Sequence, residues 1–274
     1  MSRTLRLGRG GVAALVIALL IIATVAYFSI HPRLHPRLAA DDVARVRIFA
    51  FGDRHYEWLL FDSAEIAKLV DRFNAGTQPQ IDRSPLGDAP EAGLLFILRN
   101  GNGITVTAPP PGAGPGQVEV ARGQYQYRLT APALADYISA LGKPESIPTD
   151  ISSAAERIDA FLSARGRGDV AAESSLCTPN GRQNILKGLK ERPQSPLYVS
   201  YSLLSISQEE YSPWQISQDG LADTLVVSAE WEAELTAYGK QYLAGQSEAE
   251  GHGRAMFLLV RTGKGEPWLI EDWQ

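Results

Sequence analysis

The sequence predicts an α+β protein with an N-terminal transmembrane helix, a small α+β domain and a second α+β domain. Three observations support this prediction. Residues 12–30 form an apolar run without charge. Strand and helix periodicities alternate through residues 42–142, whereas residues 151–274 show three helical patterns followed by long strand patterns. Residues 143–150 contain two prolines between helical patterns, which is typical of a linker.

The apolar run Val12–Ile30 is long enough to cross a bilayer core of ~30 Å as a helix. Three arginines and no acid precede it, so the positive-inside rule keeps residues 1–11 in the cytoplasm. The chain is then a single-pass protein of the cell membrane with extracytoplasmic domains. A cleaved signal peptide is the alternative, but its apolar core is typically roughly 7–15 residues long. Residues 31–41, which include HPRLHPRL, predict a short stiff stalk because proline breaks helices.

The charge balance and the motif content exclude several functions. The chain has 26 basic and 31 acidic residues, and five of the basic ones lie in residues 1–40, which leaves a net charge of −10 beyond them. Such an acidic chain is not expected to bind nucleic acid. No phosphate loop, zinc-ligand spacing, serine nucleophile motif or dinucleotide-binding glycine pattern is found, so no cofactor is expected. Cys177 is the only cysteine, so no internal disulfide can form.

The first domain begins with two predicted strands, at residues 44–51 and 55–61, where apolar and polar residues alternate. A helix follows, with Asp62 or Ser63 as its N-cap and Gly76 as its end. Its apolar residues recur at helical spacing, which predicts one buried face; they are Ile66, Leu69, Val70 and Phe73.

Two hairpins and a helix complete the first domain. Glycine-containing turns predict the hairpins at residues 93–108 and 118–129, on either side of the proline-rich loop 109–116. The last helix is predicted to start at Thr130, with a proline in its first turn, and to end at Gly142.

The second domain begins with three predicted helices. Ser153 and Glu156 match a capping box at the start of the first helix, which Gly166 would end. A short helix follows Asp169, and a third helix starts at Thr178. The remaining pattern is strand throughout, with predicted strands at residues 197–207, 225–235, 253–262 and 268–273.

Three helices followed by strands that end in PWLIEDW, residues 267–273, resemble the nuclear transport factor two-like superfamily, the cone-shaped fold also used by ketosteroid isomerases. The resemblance covers residues 151–274. It implies a curved antiparallel sheet that wraps the first helix and leaves a pocket open at one end. Trp268 and Ile270 would then face the interior, with Asp272 further along the same face.

The first domain is similar to a small α+β module of uncharacterised exported bacterial proteins. The matching segments are Asp62-x-x-Glu65-Ile66, Gly101-Asn102-Gly103 and Gly123-Gln124-Tyr125. Such modules imply no particular chemistry, and the candidate site residues lie in the second domain.

The cone interior supplies the candidate ligand-binding residues Phe161, Trp231, Trp268 and Asp272. Asp272 is also a weak catalytic candidate, because a carboxyl group in an apolar pocket has a raised pKa and could act as a general base. Its alternatives are a solvated strand end or a salt bridge to a residue such as Arg254.

Other polar and aromatic groups admit both a functional and a structural interpretation. Glu230, Glu232 and Glu234 alternate on one strand face and could bind a cation, but same-face residues are about 7 Å apart, which favours a solvated face. Tyr211 and Trp214 lie in a proline-containing loop and either anchor a protein partner or pack into the core.

The leading functional prediction is a membrane-anchored, extracytoplasmic, non-enzymatic binding or interaction protein, with the membrane at residues 12–30 and a protein partner or self-association. One alternative is an envelope assembly component of a conjugation- or secretion-type machine. A second alternative is a cone-type isomerase or lyase that uses Asp272.

Overall fold

The structure is a computed structural model, which describes residues 20–21, 35, 37–81, 92–109, 112–123, 125–189, 195–210, 223–244 and 251–274. The first part of the chain contributes seven strands: β1 (Val43–Phe51), β2 (His55–Leu60), β3 (Thr77–Ile81), β4 (Ala92–Leu98), β5 (Gly103–Thr107), β6 (Gln117–Arg122) and β7 (Tyr125–Thr130). Helices α1 (Ser63–Asn74) and α2 (Pro132–Leu141) accompany them, with short 3-10 turns at Ala40–Asp42 and Pro144–Ser146.

The second part begins with helices α3 (Thr149–Arg167), α4 (Val170–Ser175) and α5 (Pro179–Leu189). Four strands follow: β8 (Tyr198–Gln208), β9 (Asp223–Leu235), β10 (His252–Arg261) and β11 (Leu269–Trp273). One short helix, α6 (Ala237–Tyr242), lies between β9 and β10.

All of these strands belong to one mixed sheet. Its order is β11-β10-β9-β8-β2-β1-β4-β5-β6-β7-β3. The two parts meet where β2 and β8 pair in parallel, with His55, Tyr56 and Glu57 opposite residues 205–207. The other neighbouring strands pair antiparallel. Buried residues of both parts also form one continuous apolar cluster with α1, α2 and α3.

The predicted fold class is therefore wrong in its architecture. A small α+β domain and a separate cone were expected, each with its own sheet, but the structure joins them through β2 and β8. No helix among the described residues is long and apolar enough to cross a membrane, which corrects the prediction of a single-pass transmembrane helix in the fold. The predicted span, residues 12–30, lies outside the described residues except for Leu20 and Ile21.

Helix α1 forms as its sequence predicts. The Asp62 side chain accepts a hydrogen bond from the Glu65 N–H at 2.8 Å, which satisfies one of the free donors at the helix start. The predicted stripe is buried against the sheet; it consists of Ile66, Leu69, Val70 and Phe73.

Helix α3 begins earlier than predicted. Ser153 was expected to cap it, but the helix starts at Thr149, and the Ser153 hydroxyl donates to the Asp150 carbonyl instead. The helix also continues through Gly166 and ends before Gly168, which adopts φ 72°. Gly166 leaves room for the ring of Tyr198, which a Cβ there would overlap. Gly166 therefore allows the helix to pack closely on β8, and the prediction that it ends the helix is wrong.

Two elements and one contact were not predicted. Strand β3, with Pro79 in it, lies at one edge of the sheet, and α6 follows β9 where only strands were expected. The predicted stalk also contacts the end of helix α1. The ring of His35 lies 4.6 Å from that of Phe73, and the Leu38 N–H donates to Asn74 Oδ1 at 2.9 Å.

Candidate functional site

The predicted interior of the cone is filled by side chains. Phe161, Trp231 and Trp268 are 0%, 2% and 3% exposed and belong to the continuous core. The Phe161 ring meets the rings of Phe257 and Trp273 at centroid distances of 6.0 and 4.9 Å. These residues therefore belong to the packed core at the place where a ligand pocket was expected.

Asp272 does not share the inward face of Ile270. β11 is bulged against β10: Ile270 pairs with Leu259, whereas Asp272 pairs with the neighbouring residue Leu258, so Glu271 is an extra residue. This insertion inverts the alternation and turns Trp273 toward Phe161.

The Asp272 carboxylate instead contacts helix α5. Asn184 on α5 donates to its Oδ1 at 3.0 Å, and the Trp273 N–H donates to the same oxygen at 2.9 Å. Asp272 is half-buried in this position. The geometry does not present a carboxylate in an apolar pocket, which the isomerase hypothesis requires.

The other candidates are dispersed. The glutamates that alternate on β9 form the solvated face that the sequence favoured: Glu232 lies 3.5 Å from His252, and Glu230 lies 3.5 Å from Arg254. Within the described residues, no group of three His, Cys, Asp or Glu side chains is arranged to hold a metal ion. Tyr211 and Trp214 lie outside the described residues.

A different cluster, which sequence analysis did not identify, surrounds Arg261. Its side chain is 7% exposed although it is charged. Nη1 donates to Asp150 Oδ1 at 2.6 Å and Nη2 to Asp150 Oδ2 at 3.2 Å. Nε and Nη2 donate to Asp223 Oδ2 at 2.9 and 2.7 Å. The guanidinium carbon lies 4.3 Å from the ring centroid of Trp268, whose Nε1–H donates to the Asp150 carbonyl at 3.1 Å.

Three elements bring these groups together. Asp150 lies in the first turn of α3, where a carboxylate also interacts favourably with the helix dipole. Asp223 and Arg261 are directly opposite each other on β9 and β10. Trp268 follows the hairpin turn that leaves β10, so it returns next to Arg261. The hydrogen bonds from Arg261 to Asp150 and Asp223 raise the pKa of Arg261, which keeps the guanidinium charged.

This cluster forms one wall of a cavity of about 260 Å³ at the junction of the two parts of the sheet, here called the junction cleft. Trp58 and Leu59 of β2 also line the cavity, and the Leu59 N–H donates to the Gln208 side chain at 3.0 Å across the junction. The lining consists of Trp58, Leu59, Pro148, Asp150, Ile151, Gln208, Asp223, Thr224, Leu225, Arg261 and Trp268.

The junction cleft presents mainly hydrogen-bond acceptors to its interior. One cation faces two carboxylates, so the lining carries excess negative charge and hydrogen-bond acceptors. Asp150 is 56% exposed and Asp223 is 34% exposed, so a ligand could reach both. The sequence carried one signal for this site: Arg261 lies at the end of the predicted strand 253–262 and Trp268 at the start of the next, 268–273, so a hairpin between these strands brings the two residues close together.

In comparisons with protein families and with characterised proteins, no family model and no characterised protein matches this chain.

Proposed function

We propose that this chain is a non-enzymatic binding protein and that the junction cleft is its ligand site. The observation that carries the proposal is the buried Arg261, held by two carboxylates and stacked on a tryptophan at the wall of an open cavity. Small-molecule sites occur preferentially at domain junctions and combine apolar walls with a few fixed polar groups. The hydrogen bonds from Arg261 hold the carboxylates of Asp150 and Asp223 in place, so these two groups are the fixed polar groups of the junction cleft.

The lining indicates a small ligand with an apolar or aromatic body and hydrogen-bond donors. Trp58, Ile151 and Leu225 supply apolar surface, while Asp150 and Asp223 supply acceptors. The donors of Arg261 are largely used by those two carboxylates, so an anionic ligand would have to displace one of them. A neutral or cationic amine therefore fits the charge of the cleft better than an acid does.

The test is a screen of small aromatic amines and matched aromatic acids against the intact chain. Binding is followed by thermal shift and by the NMR signal of the Trp268 Nε1–H, which reports on the cleft wall directly. We expect amines to raise the melting temperature and to shift this signal, and acids to do neither.

A variant that fills the cleft separates specific from surface binding. Thr224→Phe places a ring at an exposed position of the lining and should abolish the Trp268 shift. Ser139→Phe adds the same ring at an exposed position of α2, away from the cleft, and should leave binding unchanged. The proposal fails if no amine moves the Trp268 signal, or if Thr224→Phe binds as tightly as the parent chain.

The geometry favours this function over an enzyme that uses Asp272, because Asp272 lies outside any apolar pocket among the described residues. The extracytoplasmic location and a role in an envelope assembly stay predictions.

A further inference from the structure

Within the described part of the chain, strand β8 has an edge without a partner strand along part of its length, here called the open edge. One side of β8 pairs with β9 from Tyr198 to Gln208. On the other side, β2 pairs only with Ser205–Ser207, and no other described strand pairs with residues 199–204. About 20 Å of backbone edge therefore lies beyond the end of the β1–β2 hairpin. Unpaired edge groups of this kind are a template for another strand.

Two bulges define which part of this edge is regular. The register of β8 against β9 shifts between Tyr198 and Ser200 and again between Leu203 and Ser205. Val199 and Leu204 are the extra residues, and they are 63% and 39% exposed. The regular stretch between them is flanked at both ends by exposed apolar side chains, which could contact the ends of a short added strand.

The solvent-facing side of this stretch is an acidic groove, here called the β8 groove. It has a volume of about 490 Å³ and is lined by Ser200, Tyr201, Ser202, Glu232, Ala233, Glu234, Gly251 and His252. Ser200 is opposite Glu234 and Ser202 is opposite Glu232, so small hydroxyl side chains lie between the open edge and the carboxylates.

These dimensions suit a basic side chain from an added strand. Neighbouring strands are ~4.8 Å apart, so an added strand would lie ~10 Å from β9. A lysine or arginine of that strand can extend across Ser200 or Ser202, where no large side chain blocks it, and meet Glu234 or Glu232. A second copy of β8 supplies no such cation, because residues 198–204 contain neither lysine nor arginine.

We propose that the open edge of β8 binds an extended basic segment of a protein partner by strand addition. Backbone hydrogen bonds to the stretch Ser200–Leu203 hold the segment, and alternate basic side chains enter the β8 groove to pair with Glu232 and Glu234. Strand addition is an established mode of peptide recognition in which the backbone provides affinity and alternate side chains provide specificity. This inference is independent of the junction cleft.

The test uses the full chain and a labelled short peptide of alternating threonine and lysine. The matched peptide has glutamate for lysine, and a third is N-methylated at alternate residues so that it cannot pair along one edge. Binding is measured by fluorescence anisotropy, and backbone protection by hydrogen exchange. We expect only the unmethylated lysine peptide to bind and to slow exchange within residues 200–203.

Glu232→Gln combined with Glu234→Gln should weaken binding by about tenfold, in keeping with two exposed ion pairs. Glu65→Gln combined with Glu145→Gln changes the net charge equally at exposed sites elsewhere and should leave affinity unchanged. Equal binding of the glutamate or methylated peptide, or no protection of residues 200–203, would overturn the proposal. Protection that instead rises with protein concentration alone would identify a second copy as the occupant and would also overturn it.

Discussion

Replacing Arg261 by methionine tests how much the charge cluster contributes to the stability of the second part of the structure. Arg261 links α3 to the start of β9 through its hydrogen bonds to Asp150 and Asp223. Methionine retains an apolar stem against Trp268 but removes the cation and all four hydrogen bonds. Two carboxylates are then left near each other without a counter-charge.

The expected loss follows from the burial of each partner. Removing one partner of a fully buried ion pair costs about 3–5 kcal/mol. Asp150 is 56% exposed and Asp223 is 34% exposed, so water stabilises both after the change and the electrostatic loss falls to about 2 kcal/mol. Loss of the cation–π interaction with the Trp268 ring adds about 0.5–1 kcal/mol. The free energy of unfolding should therefore decrease by about 2–3 kcal/mol, and the melting temperature by about 5–10 °C.

Urea unfolding followed by far-ultraviolet circular dichroism measures this loss without relying on Trp268 itself. Arg254→Met on the same strand is the matched control, because Arg254 is 69% exposed and should contribute under about 0.5 kcal/mol. Adding Asp150→Asn and Asp223→Asn to Arg261→Met should recover part of the stability, since no unpaired carboxylate remains. Equal stability of Arg261→Met and Arg254→Met, or no recovery in the triple variant, would refute the reasoning.

Three further predictions concern packing and titration. Gly253→Ala should lower the free energy of unfolding by about 2 kcal/mol in a urea titration, because its Cβ would overlap the ring of Trp231, whereas Gly52→Ala, which meets no atom within 4 Å, should change it little. Burial raises the pKa of the Cys177 thiol to about 12, so a thiol reagent should label the native chain no faster than it unfolds; rapid labelling would contradict this. Burial lowers the pKa of His35 below 6.5, so its contribution to stability is complete above that pH and is lost as the pH falls below it; an NMR titration midpoint at or above 6.5 would disprove this.

Local signals predicted the individual elements well. The stripe of α1 needs only the 3.6-residue period and the cap at Asp62, and both lie within one segment of sequence. The helices after Asp169 and Thr178 were also found from their first turns. The start of α3 was missed because a Ser-x-x-Glu pattern occurs at Ser153, inside a helix that Pro148 already precedes.

The joining of the two parts left no local signal. β2 and β8 share only residues 55–57 and 205–207, which are about 150 residues apart in the chain. Both strands alternate buried and half-exposed residues in this stretch, which is equally typical of an edge strand. Pro144 and Pro148 predict a linker between two domains, whereas the segment that contains them connects elements that share one continuous core.

The sequence indicated Asp272 as the candidate site, whereas the structure indicates Arg261, because features that depend on distant contacts leave no local signal. Strict alternation along β11 correctly placed Trp268 and Ile270 in the core, and it failed one residue later because a bulge has no signature in the strand itself. Arg261 was not predicted because its importance depends on Asp150, 111 residues away. A buried arginine requires paired acids, and its distant acid becomes identifiable only when the fold brings α3 against the end of β10. The cluster around Arg261 therefore links the architecture to the proposed function: the contact that joins α3 to β9 and β10 also forms part of the wall of the candidate ligand site.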